Sequence, residues 1–305
     1  MQTFANRMPL AVLLLSLASA GCPWWQPGAS SWPPDTDTGS GSPEPTQPVE
    51  RLAKPVLPAI EGDCPTIATG DVEVAGIPVR FWVGDAPAGK SVPLIIYWHG
   101  TGSNPDEAKG MLGDSFPEIL ANGGVIAAMG GTTGVGDITS TGTWSTGDFE
   151  VADQVVACAV KQLPIDTHRI YTTGCSSGGV HAGVMAYQRS GYIAAAALNS
   201  GGLVQAYPLQ EPGHVPNVIT AHGPADYDVV IIDFAKASLA YAQRLAKAGG
   251  FAVDCGHEGG HCGAPVELRP AMWQFLQDHP FGVDPEPYTS DLPAVFPDYC
   301  QVIED

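Results

Sequence analysis

The chain has 305 residues, and 32 acidic side chains against 13 Lys and Arg leave a net charge of −19. A surface of that sign repels polyanions, which excludes nucleic acid and an anionic membrane surface as partners. It does not select a substrate.

Met1 to Gly21 reads as a secretory signal: a short polar start with Arg7, then an apolar stretch from Leu10 to Ala20, too short to span a bilayer as a helix. The run Ser19-Ala20-Gly21-Cys22 resembles a bacterial lipobox, with Ser19 where Leu is commoner. That makes Cys22 a lipidation site and the mature N-terminus, and places the protein at the cell envelope; the alternative is ordinary cleavage beside an unmodified Cys22 and an extracellular product. The membrane would then be a partner only through that anchor. Residues 22–58 are rich in Pro, Ser, Thr, Gly and Asp and read as a tether that buries little apolar surface. Trp24, Trp25 and Trp32 sit in it as incidental linker residues. Residues 59–305 suit a single domain with a substantial core. Of seven cysteines, removing Cys22 leaves Cys64, Cys158, Cys175, Cys255, Cys262 and Cys300, an even number that favours disulfides in an exported chain.

Within the domain, strands and helices alternate. Strands are expected at Ile77–Val83, Val92–Trp98, Gly124–Met129, Arg169–Thr173, Ile193–Leu198, Asn217–Ala221 and Phe251–Val253. Helices are expected at Val151–Leu163, whose apolar residues recur at helical spacing, and at Val180–Gln188, Val229–Ala248 and Ala271–Gln277. This alternation predicts an α/β fold, a mostly parallel sheet with helices on both faces. Ligands of such sheets bind beyond the carboxyl ends of the strands, where His99-Gly100, Ser176, His222-Gly223 and His261 all fall.

Gly174-Cys175-Ser176-Ser177-Gly178 is a Gly-x-Ser-x-Gly run between a predicted strand and a predicted helix. A serine hydroxyl is a poor nucleophile until a base takes its proton and a third group orients the base. Ser176 is the candidate nucleophile. His261 is the candidate base, with His257 as the alternative, and Asp226 is the candidate acid, with Asp228 in the same loop and Asp233 beyond it competing. The order Ser, Asp, His is that of α/β-hydrolases. The oxyanion needs preorganised N–H donors, expected from Ser177 and from Thr101 in the turn His99-Gly100-Thr101-Gly102. Trp144 is expected either at the substrate groove or packed on the core; His99 and His222 are expected to be structural.

Leu94 to Gly100, the run Asp166-Thr167-His168-Arg169-Ile170-Tyr171 into Gly174–Gly179, His222-Gly223-Pro224-Ala225-Asp226 and Gly259-Gly260-His261 together resemble secreted α/β-hydrolases of the polyhydroxybutyrate depolymerase and feruloyl esterase type. The resemblance spans roughly residues 75 to 265. It implies an α/β-hydrolase fold, hydrolysis of carboxylic esters (feruloyl or acetyl groups on polysaccharide, or hydroxyalkanoate polyesters) and no cofactor. The partner is then an ester substrate, polymeric in several members. The set Cys175-Ser176, Asp226, His261-Cys262 also resembles the Cys-Ser–Asp–His-Cys motif of tannases and some feruloyl esterases, which implies a Cys175–Cys262 disulfide. The chain has no room for the large lid domain of tannases. Pairing of the other four cysteines stays open.

Two rival readings remain. One is a non-catalytic, surface-tethered binding protein on a hydrolase scaffold. The other is a zinc peptidase, since His257-Glu258-Gly259-Gly260-His261 fits His-Glu-x-x-His. That chemistry needs both imidazoles on one helix face, and Gly256, Gly259, Gly260 and Gly263 disfavour a helix by about 1 kcal/mol each. No metal is therefore expected.

Overall fold

In a computed structural model, the structure describes residues 52–140, 143–203, 205–224, 232–288 and 291–304. The signal, Cys22, most of the tether, Asp226 and Asp228 lie outside the described residues. One nine-stranded sheet organises the domain, in the order β1-β2-β4-β3-β5-β6-β7-β8-β9. The strands are β1 Gly70–Val74, β2 Ile77–Val83, β3 Val92–Trp98, β4 Val125–Met129, β5 Ile165–Cys175, β6 Ala195–Asn199, β7 Asn217–His222, β8 Ala252–Gly256 and β9 Cys300–Val302. Strands β3 to β8 are mutually parallel, while β1, β2 and β9 pair antiparallel at the two edges.

The central strands are apolar on both faces because helices cover both. Every residue of β4 and β6 is buried, which continuous apolar runs such as Val125-Ile126-Ala127-Ala128-Met129 permit. Helices α3 (Asp148–Gln162), α4 (Ser177–Gln188) and α5 (Phe234–Lys247) pack Val155, Val184 and Leu245 into the core on one face. Helices α1 (Glu107–Leu112), α2 (Ser115–Ala121) and α6 (Leu268–Asp278) pack Leu112, Ile119 and Phe275 on the other. Among the described residues, no helix is long and apolar enough to cross a membrane.

The sheet and its order of elements agree with the sequence pattern, and the differences have physical reasons. Strand β1 has an alternating, half-exposed pattern and is turned onto β2 by Ala75-Gly76, both at positive φ, as a two-residue hairpin requires. Its charged, short edge carries little apolar signal. Helix α5 begins at Phe234 rather than Val229, because the Asp233 carboxylate accepts the Lys236 N–H (3.0 Å) and caps it there. Residues 52–58 run along the domain: Leu52 N–H donates to Gly213 O (2.9 Å) and Val56 N–H to Gly191 O (2.7 Å). The open cysteine pairing resolves as Cys64–Cys158, which ties the entering chain to α3, and Cys255–Cys300, which ties β9 to β8.

Candidate active site

Strand β5 runs straight into Ser176, which sits at φ 56°, ψ −125° before α4 begins. A side chain at positive φ stores about 1–3 kcal/mol of backbone strain, and such residues gather at functional sites. Here the strain throws the Ser176 side chain out of the strand at a sharp turn, the geometry of a nucleophile elbow. Small residues make the turn possible. A Cβ on Gly178 would collide with the Trp98 carbonyl oxygen, and one on Gly179 would lie 2.9 Å from Asn199 O. The Ser176 N–H donates to that same Asn199 O (3.1 Å), anchoring the elbow to β6.

Two more non-glycine residues at positive φ, Ser200 (42°) and Cys262 (55°), are bonded into the same place. The Ser200 hydroxyl accepts the Cys262 N–H (2.8 Å), and Cys262 is disulfide-bonded to Cys175 with Cα atoms 5.8 Å apart. Since neighbouring Cα atoms are 3.8 Å apart, Ser176 and His261 have Cα atoms within about 13 Å of each other. The His261 ring leans on Phe234 at 4.8 Å between centroids.

His257 and His222 have other partners. His257 is buried, and its Nδ1 accepts the Gly259 N–H (3.0 Å). Burial, with His222 nearby, shifts its pKa downward from the ordinary histidine value. The segment from His257 to His261 forms bends and a turn rather than a helix, so its two imidazoles do not share a helix face. Among the described residues, no three His, Cys, Asp or Glu side chains gather to hold a metal ion. His222 closes β7 and donates from Nε2 to Asp254 (3.2 Å), a buried carboxylate that also accepts the Thr220 hydroxyl (2.6 Å). Asp226 and Asp228 fall in the connection from β7 to α5, outside the described residues.

The turn after β3 packs against the elbow. A Cβ on Gly100 would lie 3.5 Å from Ser176 Cβ and 3.4 Å from Cys175 O. Ser177 is the first residue of α4, so its N–H is one of the helix donors without an intrahelical acceptor, at the positive end of the helix dipole. Thr101 follows Gly100, and its hydroxyl is 2.7 Å from that of Thr143. Trp144 is buried at 2% exposure, so of its two expected places it takes the core. The motif left three supports unseen: Glu107, Asp148 and His181. Asp148 is buried and accepts from the Thr132 hydroxyl, the Thr133 N–H and hydroxyl and the Ser145 N–H, holding the connection from β4 to α3 in shape.

No protein-family model and no curated protein matches this chain. Among solved structures it is similar to native pOPH at 18% identity and a TM-score of 0.61, over 80% of this chain and 98% of that one. Native sOPH matches at 17% identity and 0.58, over 79% and 96%. A thermostable esterase matches at 16% identity and 0.53, over 69% and 62%. The fold is that of the α/β-hydrolases. In that frame β5 leads into the elbow, with β3 and β6 beside it, and His261 follows β8 in the chain.

Proposed function

We propose that this protein is an exported serine esterase. The reading rests on one observation: a serine at a strained strand–helix elbow is covalently tied, through adjacent cysteines, to the histidine that follows β8. Likeness in fold to a thermostable esterase supports it. Ser176 attacks the ester carbonyl as His261 takes its proton, and Asp226, or Asp228 in the same loop, orients the imidazolium. The Ser177 and Thr101 amides hold the tetrahedral oxyanion. His261 then protonates the leaving alcohol and activates water, which releases the acid and restores Ser176. His261 is preferred over His257 because His257 is buried and its Nδ1 already accepts a backbone N–H. The substrates proposed are feruloyl or acetyl esters of polysaccharide, or hydroxyalkanoate polyesters. Cys22 is the proposed lipid anchor, and the tether of 22–58 is proposed to be free only ahead of Leu52, from which the chain is bonded to the domain.

Hydrolysis of p-nitrophenyl butyrate by the oxidised full chain, beside Ser176→Ala, tests this. The expected result is turnover by the wild type and near-complete loss in a variant that folds normally. Equal turnover in both removes Ser176 as nucleophile. A folded wild type inactive on butyrate, feruloyl, acetyl and hydroxybutyrate esters favours the binding-protein reading.

A further inference from the structure

Two consecutive peptide units lead from β3 to Thr101, and both are gripped. The His99–Gly100 unit is held at each end: its carbonyl accepts the indole N–H of Trp144 (3.0 Å), and its N–H donates to Glu107 Oε1 (2.9 Å). The same Glu107 oxygen accepts the Tyr97 hydroxyl (2.9 Å). The Gly100–Thr101 unit is held by its carbonyl, which accepts from His99 Nδ1 (2.8 Å) and from the Ser103 N–H (3.0 Å). In a trans peptide the C=O and N–H point in opposite directions, so fixing these planes fixes the aim of the Thr101 N–H. Among the described residues no acceptor engages that N–H.

Trp144 also links this turn to the nucleophile helix. Its ring stacks on His181 (5.6 Å between centroids) and meets Trp98 edge-on (5.1 Å). His181 lies in α4, five residues beyond Ser176, fully buried between aromatic rings. Its Nδ1 pairs with the Thr139 hydroxyl (2.6 Å), which in turn reaches the Trp144 carbonyl (3.3 Å). One side chain therefore touches the helix that carries Ser176 and the peptide that precedes the oxyanion donor.

We propose that Trp144 is a positioning residue of the oxyanion hole, its indole N–H orienting the His99–Gly100 peptide and, through it, the Thr101 amide. This rests on the serine-esterase reading. It adds a donor that touches no substrate but sets where a substrate oxygen is received. Misplacing such a donor by an ångström is felt in turnover rather than in ground-state binding.

The test is Trp144→Phe in the full chain, which keeps an aromatic ring in place and removes the N–H. The kcat for p-nitrophenyl butyrate is expected to fall about tenfold to a hundredfold, with KM within about twofold. Affinity for an alkyl trifluoromethyl ketone, which presents an oxyanion once Ser176 adds to it, should fall in parallel. If Trp144→Phe fails to fold, 3-benzothienylalanine at position 144, an isostere of tryptophan without the N–H, takes its place. Wild-type kcat and inhibitor affinity in the variant overturn the inference while leaving the esterase intact. So does a loss in which KM and inhibitor affinity change by the same factor. A wild type that neither hydrolyses esters nor binds the ketone removes the esterase reading itself, and this inference with it.

Discussion

Replacing both members of the Cys175–Cys262 disulfide by Ala separates two roles of the bond. The bond joins residues 87 apart in sequence. On a chain-entropy account its loss frees the unfolded ensemble by about 4.6 kcal/mol. Cys64–Cys158, 94 residues apart, comes to about 4.7 kcal/mol by the same relation. The two double variants should therefore lose nearly equal stability in urea unfolding. Their chemistry should differ, because Cys64–Cys158 fastens the chain entry to α3, whereas Cys175–Cys262 fastens the neighbour of Ser176 to the neighbour of His261. The kcat on p-nitrophenyl butyrate, measured where both variants are folded, should drop about a hundredfold for Cys175→Ala/Cys262→Ala. It should stay within about twofold of wild type for Cys64→Ala/Cys158→Ala. Equal kcat in the two variants would show that the clip stabilises the fold without aligning the site.

Three further outcomes follow from the packing. Burial holds His181 well below its ordinary value of 6.5, and His257 is lowered in the same direction. Below pH 6.5 the unfolded chain takes up protons that the native state resists, so stability should fall as pH drops, with a limiting slope of about 1.4 kcal/mol per pH unit from His181 and a smaller contribution from His257. His181→Phe should shallow that slope between pH 6.5 and 5; an unchanged slope would contradict the assignment. Gly178→Ala drives a Cβ into the Trp98 carbonyl and should cost about 3 kcal/mol in urea unfolding, whereas Gly110→Ala, in α1 with open space around it, should add about 0.5–1 kcal/mol. Asp148→Ala leaves the Thr133 and Ser145 N–H groups without their acceptor; it should cost about 2–3 kcal/mol and lower kcat, and a variant as active and stable as wild type would refute its role.

The parallel strands were readable from the sequence because burial on both faces forces long apolar runs, as in Leu94-Ile95-Ile96-Tyr97-Trp98. The elbow was readable because glycines flank a serine where backbone carbonyls leave no room for side chains. Helices α1 and α2 were not, since six or seven residues, one of them Pro117, hold less than two turns of periodicity. Helix α5 starts later than its apolar pattern predicts, because Val229-Val230-Ile231-Ile232 continues that pattern while a single aspartate, Asp233, sets the boundary. Glu107, Asp148 and His181 act through contacts that form only when the chain folds. Nothing near them in sequence marks the Gly100 amide, the Thr133 amide or the Thr139 hydroxyl as their partners. Trp144 is the plainest case: a loop tryptophan could line a groove or fill a core, and its hydrogen bond to His99 spans 45 residues.

The central claim is that Ser176 is an activated nucleophile, and an alkyl fluorophosphonate tests it without assuming a natural substrate. Intact-mass and peptide analysis of the oxidised protein should show one adduct per chain, carried by Ser176, with its formation slowed in His261→Ala. A folded protein that takes no adduct, or takes it equally in Ser176→Ala, would contradict the account.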